Sequence, residues 1–406
     1  MTRIEGVWDQ LTSFAQLLRA YHKARRGKRG RSGVAEFGLD LERELLALRR
    51  ELHADTYRPG AYRLFTIYER KPRVIAAAPF RDRVVHHAVM QAIEPTLDRT
   101  FISDSYACRL GKGVHAAVDR YQAWAQAYRY VLKMDVRQYF PSIDHDLLKA
   151  KLRRRITDSR VLDVLDRIIE GSPRGTQNLC YFPGDDLYTP IERRVGIPIG
   201  NLTSQFFANL YLDDLDHHLK QVLHVRPYLR YVDDMVVLDH DKARLAEIRE
   251  AVRERLAIDR LRLHPHKAHI TPVAEGLNLF GYFVYPDRRR LRNDNGHRFA
   301  RKLRRMAKAY QAGRLEWTTV VASTQGWIGH ATHADTEGLR RAIFSQAVFK
   351  RGMGQETAGA CSVAVPGTTN RRTCVSPTGT GTMSTTGTTT SVSVSSSPPA
   401  RQVAGP

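Results

Sequence analysis

The segment YLRYVDDMVVLDH, residues 228–240, constrains the chain more than any other. Two aspartates, Asp233 and Asp234, stand side by side between short apolar runs. Runs of this length and composition read as strands, and the acidic pair between them reads as the tip of a tight hairpin. The acids then stand either as surface groups at a solvated hairpin tip or at the rim of a core. Paired carboxylates there repel each other and lose hydration, and a cation relieves both costs. A second run, YRYVLKMDV (residues 128–136), also reads as a buried strand and delivers Asp135 at its end. Asp135, Asp233 and Asp234 together make a candidate site for two divalent ions. One ion lowers the pKa of an attacking hydroxyl, and the other neutralises a triphosphate and its leaving group. In-line phosphoryl transfer needs that positioning and charge stabilisation.

The rest of the composition fits a polyanionic partner. The net charge is +22, from 64 Lys and Arg against 42 Asp and Glu. Each Lys or Arg beside a phosphate can release a counterion. With 406 residues, 42% of them hydrophobic, the chain can bury a large core in two or three subdomains. The cysteines, Cys108, Cys180, Cys361 and Cys374, match neither a zinc site nor a secreted disulfide scaffold. A reducing, cytoplasmic compartment is expected. No apolar run approaches the roughly 20 residues that span a bilayer, so no membrane partner is expected. The first residues lack the pattern of a signal peptide.

Apolar periodicity predicts helices over residues 1–22, 37–53, 81–97, 113–126 and 242–259, and after a turn within 196–219. Residues 62–79 alternate as two strands around Glu69–Arg73, another strand lies near Leu279–Val284, and 298–349 are mostly helical and basic. YHKARRGKRGRSG, after the first helix, reads as a basic loop, either a solubilising face or a phosphate contact. His86 and His87 have no metal-binding companions in the sequence and read as helix surface or packing. From residue 352 the chain is almost all Thr, Ser, Gly, Val and Pro. Such a tail has too few large apolar groups to offset the entropy of ordering, and disorder is expected. The fold class is α+β.

YVDD, residues 231–234, resembles the Tyr-x-Asp-Asp box of reverse transcriptases, and the resemblance runs in family order over about residues 50–345. RQYFPSID after Asp135, YERKPRVIAAAPFRDRVVHHAV, LRLHPHKAHITPVAEGLNLFGYFV and QGWIGHATHADTEGLRRAIF are similar to successive family segments. The resemblance implies a right-hand polymerase: an N-terminal helix and basic loop (1–36), fingers and palm (37–285), a helical thumb (286–351) and the tail (352–406). The palm is expected to be a mixed or antiparallel sheet backed by helices. The implied reaction is RNA-directed DNA synthesis from deoxynucleoside triphosphates, with template RNA and a primer or cDNA strand as partners. Two Mg²⁺ ions, with Mn²⁺ as substitute, are implied at Asp135, Val136, Asp233 and Asp234. Lys267 is implied beside the pyrophosphate. Arg73 and Arg81, with Lys71 a weaker candidate, are implied as the triphosphate clamp. Phe140 is implied as the gate against a ribonucleotide 2′-hydroxyl. Phe280, Gly281 and Tyr282 match the primer grip, and Trp327 and His330 match the start of the thumb, either as a packing turn between helices or as a nucleic-acid contact.

GIPIGNLTSQ departs from most retroelement enzymes, which show Gln-Gly and Ser-Pro where this chain has Ile199-Gly200 and Ser204-Gln205. That pattern resembles the diversity-generating retroelement branch, bacterial or phage, with a group II intron-like palm. In the family this segment, including Ile199, Gly200 and Gln205, lies beside the incoming nucleotide. An apolar branch at Ile199 removes a hydrogen bond and relaxes selection at some template bases; the resemblance implies that the altered selection acts at template adenines. The resemblance also implies a small basic accessory protein. The tail carries a related signal in its coding possibilities. Shifted by two bases, permitted codons turn Val365-Pro366-Gly367-Thr368-Thr369 into Gly-Ser-Trp-Asn-Asn. The same shift turns Thr386 through Val394 into Asn-Arg-Asn-Asn-Asn-Ile-Gly-Phe-Arg. An Asn-rich second frame is what a template repeat looks like. The alternatives are a retron or defence-associated reverse transcriptase and a non-catalytic RNA-binding protein with a polymerase fold.

Overall fold

The computed structural model describes residues 3–68, 72–173 and 180–350. The alternation over 62–79 yields β1 (Arg63–Tyr68) and β2 (Pro72–Ala77), an antiparallel ribbon with Ile67 opposite Arg73. The central sheet combines β3 (Tyr130–Asp135), β4 (Tyr228–Tyr231), β5 (Asp234–Asp239) and β6 (His269–Pro272) in the order β4-β5-β3-β6. All its pairings are antiparallel. Leu132 and Met134 of β3 and Met235 and Val237 of β5 face the main core, while Val131, Val236 and Leu238 are buried on the other side. Burial on both faces is why these strands read as unbroken apolar runs. The helix Lys242–Ile258 packs against the sheet through Leu245, Ile248, Val252 and Leu256. A second sheet, β7 (Leu277–Leu279), β8 (Tyr282–Val284) and β9 (Arg289–Leu291), follows in the chain.

The helical elements differ from expectation at three places. The helix expected over 1–22 breaks at Ser13, whose backbone is extended and whose hydroxyl caps the next helix by accepting from Gln16 N at 3.2 Å. Apolar spacing carries across that break, so periodicity alone hides it. The basic loop is shorter than expected, because Phe14–Arg25 runs into it and Ser32–Leu39 begins within it. The helix expected over 37–53 divides at Asp40 into Ser32–Leu39 and Leu41–His53. The helix Phe80–Asp98 is buried along most of its length and packs against Phe14–Arg25. His86 lies inside that packing, as expected, and burial lowers its imidazole pKa to about 3.

The C-terminal helices Asn293–Gln311, Trp317–Ala331 and Glu337–Ser345 are held by aromatic packing. Phe299 stacks flat on Trp327 at 4.1 Å between centroids, and Phe344 meets both rings edge-on. Among the described residues, no helix is long and apolar enough to cross a membrane. The tail expected from residue 352 lies outside the described residues.

One buried charge pair ties the central sheet to the helices before it. Arg230 of β4 and Asp216 of the helix Asp213–His217 both have no solvent exposure. The Arg230 guanidinium donates to both Asp216 oxygens at 2.6–2.9 Å, and Tyr228 donates its hydroxyl to Asp216 at 2.6 Å. Its remaining donors reach the Asn209 carbonyl at 3.2 Å and the Val232 carbonyl at 3.0 Å. A buried ion pair of this kind costs most when half of it is removed. Replacing Arg230 alone (Arg230→Met) is expected to lower stability by about 3–5 kcal/mol. Adding Asp216→Leu is expected to recover part of that loss. Denaturant unfolding of the single and double variants measures both.

Candidate active site

The register of the central sheet assembles the acidic site. Asp135 ends β3 directly opposite Asp234, which begins β5, and Asp234 is also paired with Tyr231 of β4. Val232 and Asp233 form the loop between β4 and β5. Val232 has φ +56°, an unfavourable value for a β-branched residue. The loop holds that shape because Arg230 grips the Val232 carbonyl and the Val136 amide donates to the Asp233 carbonyl at 3.3 Å. Asp135, Asp233 and Asp234 therefore share one end of the sheet.

Two lysines border them. Lys267 Nζ lies 2.8 Å from Asp135 Oδ2. Lys133 Nζ lies 3.5 Å from Asp234 Oδ1 and donates to the Asn278 carbonyl at 3.1 Å, joining the central sheet to β7. Even so, the acids are under-compensated. Burial, then Asp234 and Asp135, pushes the Asp233 pKa up to about 6. Burial raises Asp234 too, with Lys133 opposing and Asp135 adding to the rise. Among the described residues, no three His, Cys, Asp or Glu side chains converge closely enough to hold a metal ion as they stand. Asp135 and Asp234 rest on lysines instead. Their donor set still fits a hard cation: carboxylate oxygens suit Mg²⁺ or Mn²⁺, and the raised Asp233 marks a place short of positive charge.

The other expected residues lie on several elements. Phe140 is half-buried, and its carbonyl accepts from Ile197 N at 3.0 Å, which holds it beside the GIPIG segment. Ile199 and Gly200 form a turn there. Gly200 has φ +106°, and a Cβ on it would meet Ile75 Cγ2 of β2 at 3.1 Å. Only glycine suits both conditions. Gln205 is exposed on the helix Leu202–Tyr211. Arg73 is exposed on β2, and Lys71 lies outside the described residues. Arg81 is ion-paired with Glu51 at 2.6 Å, with Glu44 at 3.9 Å, so an incoming phosphate there has to compete with carboxylates.

Phe280 and Gly281 form the loop between β7 and β8, with φ +49° and +100°. Two positive φ values are the signature of a type I′ hairpin. This left-handed position costs a bulky residue strain, and it aims the Phe280 ring at Tyr231, 4.7 Å between centroids. Trp327 and His330, the expected nucleic-acid contacts, are committed within the protein. Trp327 is buried and donates to Asn295 at 2.9 Å, and His330 bonds the Tyr282 hydroxyl at 2.8 Å. The edge of Trp327 borders a groove lined by Tyr68 and by Arg298, Arg301, Lys302 and Arg305.

Sequence reasoning missed three residues. Lys133 and Arg230 each left a signal, a lone charge inside an apolar strand. His115, which reaches the Tyr282 hydroxyl at 3.1 Å, left none.

An α+β fold with acids gathered at one end of an antiparallel sheet matches the arrangement expected of a nucleic-acid polymerase. The chain belongs to the reverse transcriptase family, because residues 67–284, more than half of its length, match the model for reverse transcriptase (RNA-dependent DNA polymerase). It is similar to protein YkfC of Escherichia coli (strain K12), 27% identical over 287 residues, which cover 61% of this chain and 72% of that protein. It is also similar to group II intron-encoded protein LtrA of Lactococcus lactis subsp. cremoris, 22% identical over 184 residues, 45% of this chain and 29% of LtrA. A nuclear intron maturase 1, mitochondrial, of Arabidopsis thaliana is 26% identical over 95 residues, 23% of this chain and 13% of that protein. The chain thus spans less than a third of these two intron proteins.

The electrostatics predict a metal response that is separate from turnover. In chelator, Asp233→Asn is expected to melt above the unsubstituted protein, because it removes a charge that the apo site does not compensate. In millimolar Mg²⁺ the order is expected to reverse, because an acid trio that holds the cation would gain stability from it. Thermal melts with and without the ion read both arms.

Proposed function

We propose that this chain extends a primer on an RNA template, with Asp135, Asp233 and Asp234 holding the ions. The observation that carries this reading is Asp135 and Asp234 directly opposite in register, with Asp233 beside them. Bound Mg²⁺ supplies a lowered pKa at the primer 3′-hydroxyl and charge neutralisation at the triphosphate. The chain's own groups do the rest. Val136 follows Asp135 in the ion site. Lys267, half-exposed beside Asp135, would meet the charge of the leaving pyrophosphate. Phe140 packs under the sugar and excludes a 2′-hydroxyl. Arg73, on the exposed face of the ribbon, and Arg81 meet the triphosphate, for which guanidinium forks are well shaped. In this reading residues 37–285 are fingers and palm, 286–351 are the thumb, and Phe280, Gly281 and Tyr282 support the primer end. The basic groove along Asn293–Gln311 holds the duplex backbone. Asp234→Asn is expected to lower primer extension by about 10³-fold while leaving the fold intact. Incorporation of labelled deoxynucleotide on an RNA template measures it, and an Asp234→Asn enzyme of normal activity would overturn the assignment.

We further propose that the enzyme is the error-prone polymerase of a diversity-generating retroelement. It would copy a template-repeat RNA with a small basic accessory protein. Support comes from Ile199-Gly200 and Ser204-Gln205, and from the Asn-rich second frame that the tail's codons permit. In the resembled family Ile199, Gly200 and Gln205 lie beside the incoming nucleotide, and the apolar Ile199 would leave the templating pair without an amide partner. Sequenced cDNA is expected to show errors concentrated at template adenines, reduced severalfold by Ile199→Gln. The gene's last bases are expected to read as an Asn-rich frame with a near-repeat differing at adenines. Even error rates across the four bases and no near-repeat would instead favour a retron or defence-associated enzyme.

A further inference from the structure

We infer that His115, Tyr282 and His330 form a hydrogen-bonded strut that fixes the Phe280–Gly281 turn and thereby sets how tightly the primer end is engaged. The inference rests on the reading of that turn as the primer support. The three residues come from separate segments. His115 lies in the first turn of the helix Val114–Ala125, Tyr282 opens β8, and His330 stands near the end of Trp317–Ala331.

One arrangement of protons satisfies all three contacts of the Tyr282 hydroxyl at once. The buried Tyr282 hydroxyl is 2.7 Å from the His330 carbonyl, 2.8 Å from His330 Nδ1 and 3.1 Å from His115 Nε2. A phenol has one proton and two lone pairs. The carbonyl can only accept, so it takes the hydroxyl proton. Both ring nitrogens must then donate to the Tyr282 oxygen. His330 is therefore protonated at Nδ1 and His115 at Nε2. The hydroxyl's capacity is filled, and the strut has one proton arrangement.

The strut reaches the turn directly. A Cβ on Gly281 would stand 3.4 Å from His330 Nε2, so the ring lies against that backbone. Gly281 is joined to Phe280, and Phe280 to Tyr231 at the acidic loop. On the other side His333 stacks on His115 at 3.5 Å, and the Asp119–Arg289 ion pair lies nearby. A loss of the strut releases the turn while the three acids, on another sheet, stay in place.

The two histidines make opposite demands on their substitutes. Asparagine places an amide nitrogen where Nδ1 lies, and glutamine places one where Nε2 lies. His330→Asn and His115→Gln should therefore preserve the strut, whereas His330→Gln, His115→Asn and Tyr282→Phe should break it. Each variant would be assayed for primer extension on an RNA template. In parallel, binding of a fluorescein-labelled DNA primer annealed to RNA would be followed by anisotropy, and thermal melts would confirm folding. The strut-breaking variants are expected to raise KM and Kd for primer–template by about tenfold, with kcat and the deoxynucleotide KM changed less than about twofold. The preserving pair is expected to stay near the unsubstituted values. Equal effects from asparagine and glutamine at both positions, or losses confined to kcat or the deoxynucleotide KM, would overturn the strut. If the unsubstituted protein extends no primer, the polymerase reading fails on its own, and the anisotropy series still decides whether the strut governs duplex binding.

Discussion

Asp216 and Arg230 face each other with no access to water, and Arg230 stands just ahead of the acidic loop on the same strand. Their attraction has to offset the loss of hydration of two full charges, which it does only with every donor and acceptor engaged. Engagement is nearly complete here, through Tyr228, the Asn209 carbonyl and the Val232 carbonyl. The last of these matters most for the site. Val232 is held at a positive φ that valine avoids, and a guanidinium bond to its carbonyl helps to hold it there. The strain in the loop is thus supported from inside the core. The acids can be crowded at the rim because the β4–β5 hairpin delivering two of them cannot shift without breaking the buried pair.

The lysines around the acids express the same logic at lower cost. Lys267 is half-exposed and its ion pair is easily exchanged, whereas Lys133 is tied to both Asp234 and the Asn278 carbonyl. One ammonium is half-exposed beside Asp135, and the other links the two sheets. Exposed pairs are worth little in stability, so the Lys267 contact restrains Asp135 without locking it.

Much of the fold is legible in the sequence because burial leaves a periodic record. The strand ending at Asp135, the hairpin around Asp233–Asp234 and the ribbon over 62–79 are set by apolar patterning, and the family resemblance orders them. Features that depend on tertiary partners are not legible in this way. The break at Ser13 lies within an unbroken apolar stripe. Arg81 looks like a free cation until Glu51 is folded against it, and Trp327 looks like a contact residue until Phe299 covers it. His115 is distant in sequence from Tyr282 and His330, and only the fold brings the three together.

Gly200 has a consequence beyond its own backbone. It presses against Ile75 of the β1–β2 ribbon, the same ribbon that carries Arg73, while its neighbour is Ile199. If Arg73 meets the triphosphate as proposed, a displacement of the ribbon on taking hold of a phosphate would be felt mechanically at the turn bearing Ile199. Capture of a nucleotide and scrutiny of its base would not be independent events. How firmly the ribbon closes would tune how strictly the base is judged, and a change in grip at one end would register as a change in accuracy at the other.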